Sequence, residues 1–572
     1  MRDFITLVDD ESWKEFMPKD VTKDLFRQLL KYYDEDVIVG AGLRIRRMAR
    51  AADELPPTQR VLRIAEIFGL FRNPDKETVL TPWRVVNMHL SDMLGGFCFY
   101  DETFQHPDGL LDEPRLIDRG DASETVLLNP EARILEVNSK SGLYPLYMAY
   151  SIYAMKLTGR EDQIPLEETQ RLWRETVEQN IFVLCKTKMA RLITRRTLVG
   201  YQGWPVNAIY LTRLMERMQD MKRLSNKLRN PATWGKEGEK MTFDAVVGNP
   251  PYQETGGSGG SNDAPVYQFF ATMAEQLDPE YTSLIMPARW FSAGRDNLLG
   301  EFRRHMIKDG HIMKMDVYPE ATEIFPTVEI KSGLCYYLQR NSYSGPCDYA
   351  LIENGTRQTW TRDLSDLDVL IRHPVLSDIV KKVWSCEQNT QSVETVVSGD
   401  TPFGIGTKPE ESKKYSIVLY ETAEEPHSTI LLYYDKGQRK TAFVSRKTIG
   451  KNAHDIDSVK VFIPKAGGSG NDPQVLGKPE LYPANSVCSQ TFVYVAFHTK
   501  DEAANFISYL KTRFFRALVS SVKISQDALS SVYRYVPIQD YSHPWTDEML
   551  YAKYRLKADE IAFIEATINP ME

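Results

Sequence analysis

The stretch FDAVVGNPPYQETGGSGGSND, residues 243–263, decides how the rest of the chain is read. An apolar run of Ala245, Val246 and Val247 stops at Gly248. Asn249, Pro250, Pro251 and Tyr252 follow, and then a polar, glycine-rich segment. A short apolar run bounded by turn residues predicts a buried strand. The next segment, PVYQFFATMAEQL, has the apolar spacing of a helix. Strand, tight turn, loop and helix form the repeating unit of an α/β sheet, in which ligands sit beyond the carboxyl ends of the strands. Residues 249–252 fall at such an end.

Working outward, the alternation extends from about 126 to 340. ARILEV, NIFVLCKT, YTSLIMPARWF, IMKMDVYP and KSGLCYYLQR predict strands. YPLYMAYSIYAMKL, KMARLITRRTL and GRDNLLGEFRRHMIKDG predict helices between them. The expectation is a mainly parallel sheet with helices on both faces. Residues 1–125 read as a helical N-terminal region, in which Pro82 of ETVLTPWRVVNMHLSDML suits a first helical turn. From about 341 the texture changes to short apolar runs and turn-rich loops such as VSGDTPFGIGTK. This predicts a β-rich domain over 341–540, closed by a helical tail over 541–572.

With 572 residues, 42% of them hydrophobic and 26% charged, the composition is that of a soluble globular chain of several domains. The net charge of -8 does not by itself indicate nucleic-acid binding. Two basic stretches, KGQRKTAFVSRKTIGK at 436–451 and CKTKMARLITRRTLVG at 185–200, read singly as solvated faces and together permit a phosphate-binding surface. KTRFFRALVSSVKISQ interleaves Arg513, Arg516 and Lys523 with Phe514 and Phe515. The aromatics are expected in a core and the basic residues are candidates to track phosphates. The six cysteines are scattered without CxxC spacing, so no zinc or other metal site is expected and a reducing cytoplasm fits. No signal peptide or bilayer-spanning run is evident. GDTPFGIGTK lacks the Gly-Lys-Ser/Thr ending of a phosphate loop, and the spacing of Glu136 from Lys140 is wrong for a nuclease core.

The residues at 249–252 carry a specific chemistry. An amino group on an aromatic ring is a poor nucleophile because its lone pair is delocalised into the ring. A site that accepts hydrogen bonds from both of its N–H groups makes it able to attack. The Asn249 side-chain oxygen and the Pro250 carbonyl supply two such acceptors. Proline fixes φ and has no N–H, so Pro250 and Pro251 make the holder rigid. Tyr252 offers a flat face for stacking. A base in a duplex reaches such a pocket only when flipped out of the stack. The glycines at 256–260 are a solvated loop that suits closure over a substrate.

Asn-Pro-Pro-Tyr in this setting resembles the catalytic motif of the DNA amino-methyltransferases, and of the adenine-N6 group in particular. The order of motifs resembles that family's gamma arrangement and the Eco57I-like restriction-modification methylases. The likeness implies a Rossmann-like methyltransferase core using S-adenosyl-L-methionine, with Asn249, Pro250, Pro251 and Tyr252 as catalytic residues. In ETVLTPWRVVNM it places Thr81 and Pro82 beside the cofactor. In ILEVNSKSGLYPLYMA it places Glu136, Asn138 and Gly142 there. It also implies a target-recognition domain over 341–540, double-stranded DNA as partner, and a nuclease or helicase subunit in another chain. Two positions depart from the family pattern. Lys140 stands where a loop glycine is usual, and Cys185 stands where the next strand usually ends in an acid that holds the ribose hydroxyls. These departures keep open a non-catalytic DNA-recognition subunit, and the amine chemistry alone also admits cytosine N4 as the target.

Overall fold

The computed structural model describes the whole chain except residues 1, 19, 72–79, 105–108, 160–163, 255–263, 293–296, 309, 327, 329, 389, 410–416, 427, 469–471 and 572. The chain forms two units. The first is Met1–Ala288 with Met306–Leu364, and the second is Arg289–His305 with Ser365–Glu572.

The first unit is built on a 9-stranded sheet. In chain order its strands are β1 (Ile134–Ser139), β2 (Ile181–Cys185), β3 (Asn207–Tyr210), β4 (Ala245–Gly248), β5 (Tyr281–Pro287), β6 (Ile312–Tyr318), β7 (Leu334–Arg340), β8 (Cys347–Glu353) and β9 (Thr356–Arg362). Their order across the sheet is β9-β8-β6-β7-β5-β4-β1-β2-β3. All run in one direction except β7 and β9. The chain steps outward from β1 through β2 to β3, then returns to the other side of β1 for β4. The crossovers on either side of the β1/β4 pair therefore diverge and open a crevice beyond their carboxyl ends, where α/β sheets bind ligands.

Five helices matter for that crevice: α1 (Asp10–Phe16), α2 (Trp83–Met93), α3 (Leu143–Leu157), α4 (Lys188–Val199) and α5 (Tyr267–Gln276). The central strands are buried along their length, as expected for strands covered on both faces. Helix α3 is apolar nearly all round and largely buried, which suits a helix inside a core rather than on it. Its Gly142 stands at the start with φ 79°. A Cβ there would meet Thr194 Cα of α4 at 2.9 Å and Thr197 Cβ at 3.0 Å, so the glycine lets α3 and α4 approach. Pro82 precedes α2 as its cap, one position before the first helical turn expected for it.

The boundary expected at 340 moves. Strands β8 and β9 form a hairpin that continues the first unit's sheet, with β8 parallel to β6. Residues 289–305, expected inside the core region, belong to the second unit. That unit is also less purely β than predicted. It has two three-stranded sheets alongside helices Pro374–Cys386, Lys500–Lys511, Arg513–Ser520, Asp547–Lys553 and Ala558–Thr567. The last two helices pack into the same hydrophobic core as the others rather than forming a separate tail. Among the described residues no helix is long and apolar enough to cross a membrane.

Candidate active site

Strand β4 ends at Gly248, ahead of two prolines that have no N–H to continue a ladder, and its neighbour leaves no room there for a side chain. A Cβ there would lie 2.6 Å from the Val137 carbonyl oxygen of β1. Directly after this pinch comes Asn249. Its Nδ2 donates to Thr81 Oγ1 at 3.0 Å, across 168 residues of sequence. With the nitrogen thus held, Asn249 Oδ1 is buried and has no partner. An amide hydrogen-bonded at one end presents its oxygen in a fixed direction, which the proposed acceptor role needs. Among the described residues no hydrogen-bond donor reaches the Pro250 carbonyl either.

Asn138, at the end of β1, has φ 62°, a left-handed conformation that side-chain-bearing residues rarely adopt. The β1/β2 register shifts between Val137 and Ser139, so Asn138 is the extra residue of a bulge. Its Nδ2 donates to the Asn249 main-chain oxygen at 3.2 Å, while its Oδ1 is buried without a partner. Asn138, expected beside a cofactor, thus also holds the backbone of the Asn249 loop.

Tyr252 is half-buried, with its hydroxyl enclosed. Burial raises the phenol pKa, and the nearby Asn249 side chain partly offsets this. The Tyr252 main-chain oxygen accepts from Val266 N at 3.2 Å, and Gln253 and Glu254 pair with Pro265 and Ala264. The two ends of the glycine-rich segment are therefore tied together. The segment itself, with the expected closure at 256–260, lies outside the described residues.

Behind the site runs a buried relay. Ser283 Oγ donates to the Tyr337 carbonyl at 2.8 Å, so it accepts from His89 Nε2, 2.9 Å away. The His89 proton is then on Nε2, and Nδ1 accepts from the Tyr144 hydroxyl at 2.7 Å. Burial holds the His89 imidazole neutral, with a pKa of about 3. Tyr144 borders both Tyr252 and Glu136 electrostatically. Nothing in the sequence marked His89 or Tyr144, since each reads as an ordinary core residue.

Glu136 on β1 is buried, and desolvation raises its pKa to about 8, opposed only by Ser139. Its Oε2 has no partner. Glu136 Oε2, Asn138 Oδ1 and Asn249 Oδ1 are all buried acceptors without donors, near the carboxyl ends of β1 and β4. A ligand presenting N–H and O–H groups fits such a set, and S-adenosyl-L-methionine has both. Gly142 is accounted for by the packing of α3 on α4. Among the described residues no cluster able to hold a metal ion occurs.

The stretches read as phosphate contacts are mostly spoken for. Arg439 pairs with Glu480 at 2.6 Å, Lys440 with Asp435 at 2.6 Å, and Arg446 with Asp457 at 2.5 Å. Phe514 and Phe515 lie in a core as expected, but Arg516 is buried with them and donates to the carbonyls of Thr512, Gln474 and Lys511. Lys523 is buried and donates to the Gly467 carbonyl at 2.6 Å. Both act as braces for the second unit.

Comparison with known proteins finds relatives of part of the chain. Residues 179–325 match the model of the Eco57I restriction-modification methylase family. A 107-residue stretch is 36% identical to an uncharacterized adenine-specific methylase of Mycoplasma pneumoniae (strain ATCC 29342 / M129 / Subtype 1), covering 18% of this chain and 25% of the relative. Among solved structures, the Type IIL restriction-modification enzyme MmeI in complex with DNA is similar at 11% identity and TM-score 0.44, over 71% of this chain and 61% of that one. A DrdV–DNA complex is similar at 12% identity and TM-score 0.40, over 99% of this chain and 66% of that one. The chain thus spans about a quarter of the length of the curated relative it matches. Over residues 179–325, the stretch that carries β2 to β6 and Asn249, the chain is therefore Eco57I-like, similar to the restriction-modification methylases.

Proposed function

We propose that the chain is a site-specific DNA methyltransferase that moves a methyl group from S-adenosyl-L-methionine to adenine N6 of a flipped-out base, as the modification component of a restriction-modification system. The observation that carries this reading is the split Asn249 amide, with Nδ2 bound to Thr81 and Oδ1 left as a fixed, buried acceptor at the end of β4.

In this reading Asn249 Oδ1 and the Pro250 carbonyl accept the two N–H groups of the target amine. The contact draws its lone pair out of the ring and aims it along one line. As the new bond forms, positive charge builds on the nitrogen, and the two oxygens already face it. Preorganised dipoles of this kind stabilise a transition state without having to reorient. The Tyr252 ring stacks on the base. Glu136, Asn138, Thr81 and Pro82 would hold the cofactor, which supplies an electrophilic methyl on a sulfonium. The transfer would be direct and use no metal: the N–C bond would form as the S–C bond of the sulfonium breaks, leaving a thioether, and the nitrogen would then give up one of its two protons to solvent.

Double-stranded DNA is the proposed substrate, because an exocyclic amine presented to two acceptors and a stacking ring is the edge of a nucleobase. A nuclease- or helicase-bearing chain is the proposed partner, and the cytoplasm the proposed location. The test is transfer of tritiated methyl groups to duplex DNA, with Asn249→Ala as control. The expected result is incorporation by the natural chain and a loss of at least about a hundredfold in the variant, the scale for removing one preorganised hydrogen-bonding group. Equal incorporation by both proteins overturns the assignment. Sequencing of the modified base distinguishes adenine N6 from cytosine N4.

A further inference from the structure

Strand β2 ends at Cys185, a buried thiol and a weak hydrogen-bond acceptor. Yet a carboxylate stands beside it, brought from the other end of the unit's sequence. Glu15 lies on α1, whose Asp9 cap accepts from Ser12 N at 3.0 Å. The helix is clamped to the start of α4, where Ser12 Oγ accepts from Met189 N at 3.2 Å and Trp13 shares a small core with Met189. Thr187, the residue that caps α4, donates its hydroxyl to Glu15 Oε2. Glu15 is 8% exposed, and its other oxygen, Oε1, is buried with no partner.

A purely structural role explains only half of this carboxyl. Bonding to Thr187 at a helix N-terminus accounts for Oε2; burial raises the Glu15 pKa, and Lys140, Thr187 and Lys186 oppose the rise. Oε1 gains nothing from Thr187. A buried acceptor without a donor is costly, and it calls for a partner that the fold itself does not supply. Its position is specific. Glu15 is held by Thr187, two residues beyond the end of β2, and both it and Glu136, which stands on β1 opposite Val183, lie near enough to Cys185 to act on its thiol. In open α/β sheets a nucleoside lies across these strand ends, and an acid beside the first crossover takes a ribose hydroxyl. Two neighbouring lysines disfavour a cationic ligand here and leave neutral hydroxyl donors as the better match.

We infer that Glu15, delivered by the N-terminal helix, accepts the ribose hydroxyls of the nucleoside cofactor in the place where β2 offers only Cys185. The inference rests on the methyltransferase reading above and adds to it a residue outside the methylase-like stretch. The Lys140 and Cys185 departures then stand beside a compensating carboxylate.

Calorimetric titration of the full-length chain with S-adenosylhomocysteine and with its 2′,3′-dideoxy analogue tests this. The natural chain should bind the dideoxy analogue at least about tenfold more weakly, the scale of lost charge-assisted hydrogen bonds. Glu15→Gln should weaken binding of the ribose form by a similar factor and abolish the preference between the two ligands. If Glu15→Gln does not fold, Glu15→Asp takes its place with the same expectation. Indifference of the natural chain to the hydroxyls, or a preference unchanged in the variant, overturns the inference and leaves the methyltransferase reading standing. Failure of the natural chain to bind either ligand overturns both.

Discussion

Glu136 shows at the scale of one residue what a buried, half-paired acid costs its fold. The carboxyl is buried, Oε2 has no donor, and its pKa is raised to about 8 by desolvation. In the unfolded chain the same group ionises near its ordinary value of 4.5. The folded state therefore binds the extra proton between these two values. The contribution to stability is fully present below about pH 4.5 and is lost as pH rises to about 8. Glu136→Gln keeps the shape and cannot ionise. It should stabilise the chain relative to the natural protein by about 3 kcal/mol at pH 8, from a shift of this size at 1.36 kcal/mol per pKa unit with allowance for relaxation. The gain should vanish near pH 4.5. Urea denaturation at the two pH values checks it, and an equal difference at both would refute the assignment of a buried, ligand-deprived acid.

At the scale of elements, helix α2 is held to the far side of the sheet by charge rather than by apolar packing alone. Asp92 of α2 pairs with Lys314 of β6 at 2.6 Å, and Asp316 of β6 takes two bonds from Arg357 of β9. Asp316 is fully buried. Burial and the neighbouring Asp92 raise its pKa to about 7, while the cations oppose the rise. Asp316 is buried but the Arg357 side chain is 39% exposed, so removing the arginine strands the acid at a solvent-screened cost of about 1–2 kcal/mol, below that of a wholly buried pair. Arg357→Met should therefore destabilise the first unit by about that amount at pH 8. The loss should be smaller at pH 5, where Asp316 takes up a proton instead of remaining charged. Denaturation midpoints at the two pH values test this, and a pH-independent loss would point to packing instead. The same strands show where the sequence was legible. Long apolar runs such as those of β5 and β7 read clearly. The four-residue β3 did not, and the β8/β9 hairpin was assigned to the following domain. Its signal was present, since Asn354 and Gly355 both have positive φ and form the two-residue turn that joins such strands. Asn249 could be read because its whole motif is local. Glu15 could not, because 172 residues separate it from the Thr187 that orients it. The acids that pair with the basic stretch at 436–451 were illegible for the same reason, since two of them, Glu480 and Asp457, lie outside it.

At the scale of the whole molecule, the chain crosses between its two units three times, because Arg289–His305 leaves the first unit and returns. This short excursion carries Trp290, Phe291, Leu299 and Phe302, all buried. Its backbone and side chains are bound to the second unit: Leu370 N donates to the Phe291 carbonyl at 2.9 Å, Ser292 Oγ to the Val522 carbonyl at 2.5 Å, and Arg303 Nε to the Asp368 carbonyl at 2.9 Å. A cut in sequence therefore cannot separate the units cleanly, although the nine-stranded sheet is complete by Arg362. A chain ending at Leu364 keeps the excursion but loses residues 365–572, which supply these partners. Each large apolar side chain so uncovered gives up about 1.5–3 kcal/mol of burial. Such a chain should bind a hydrophobic dye, precipitate on concentration and expose 289–305 to protease. Supplying residues 365–572 as a separate chain in the same cell should restore solubility and protect the segment. A soluble, dye-negative 1–364 chain with residues 289–305 resistant to protease would show instead that the excursion belongs with the sheet, in the core region where the sequence alone placed it.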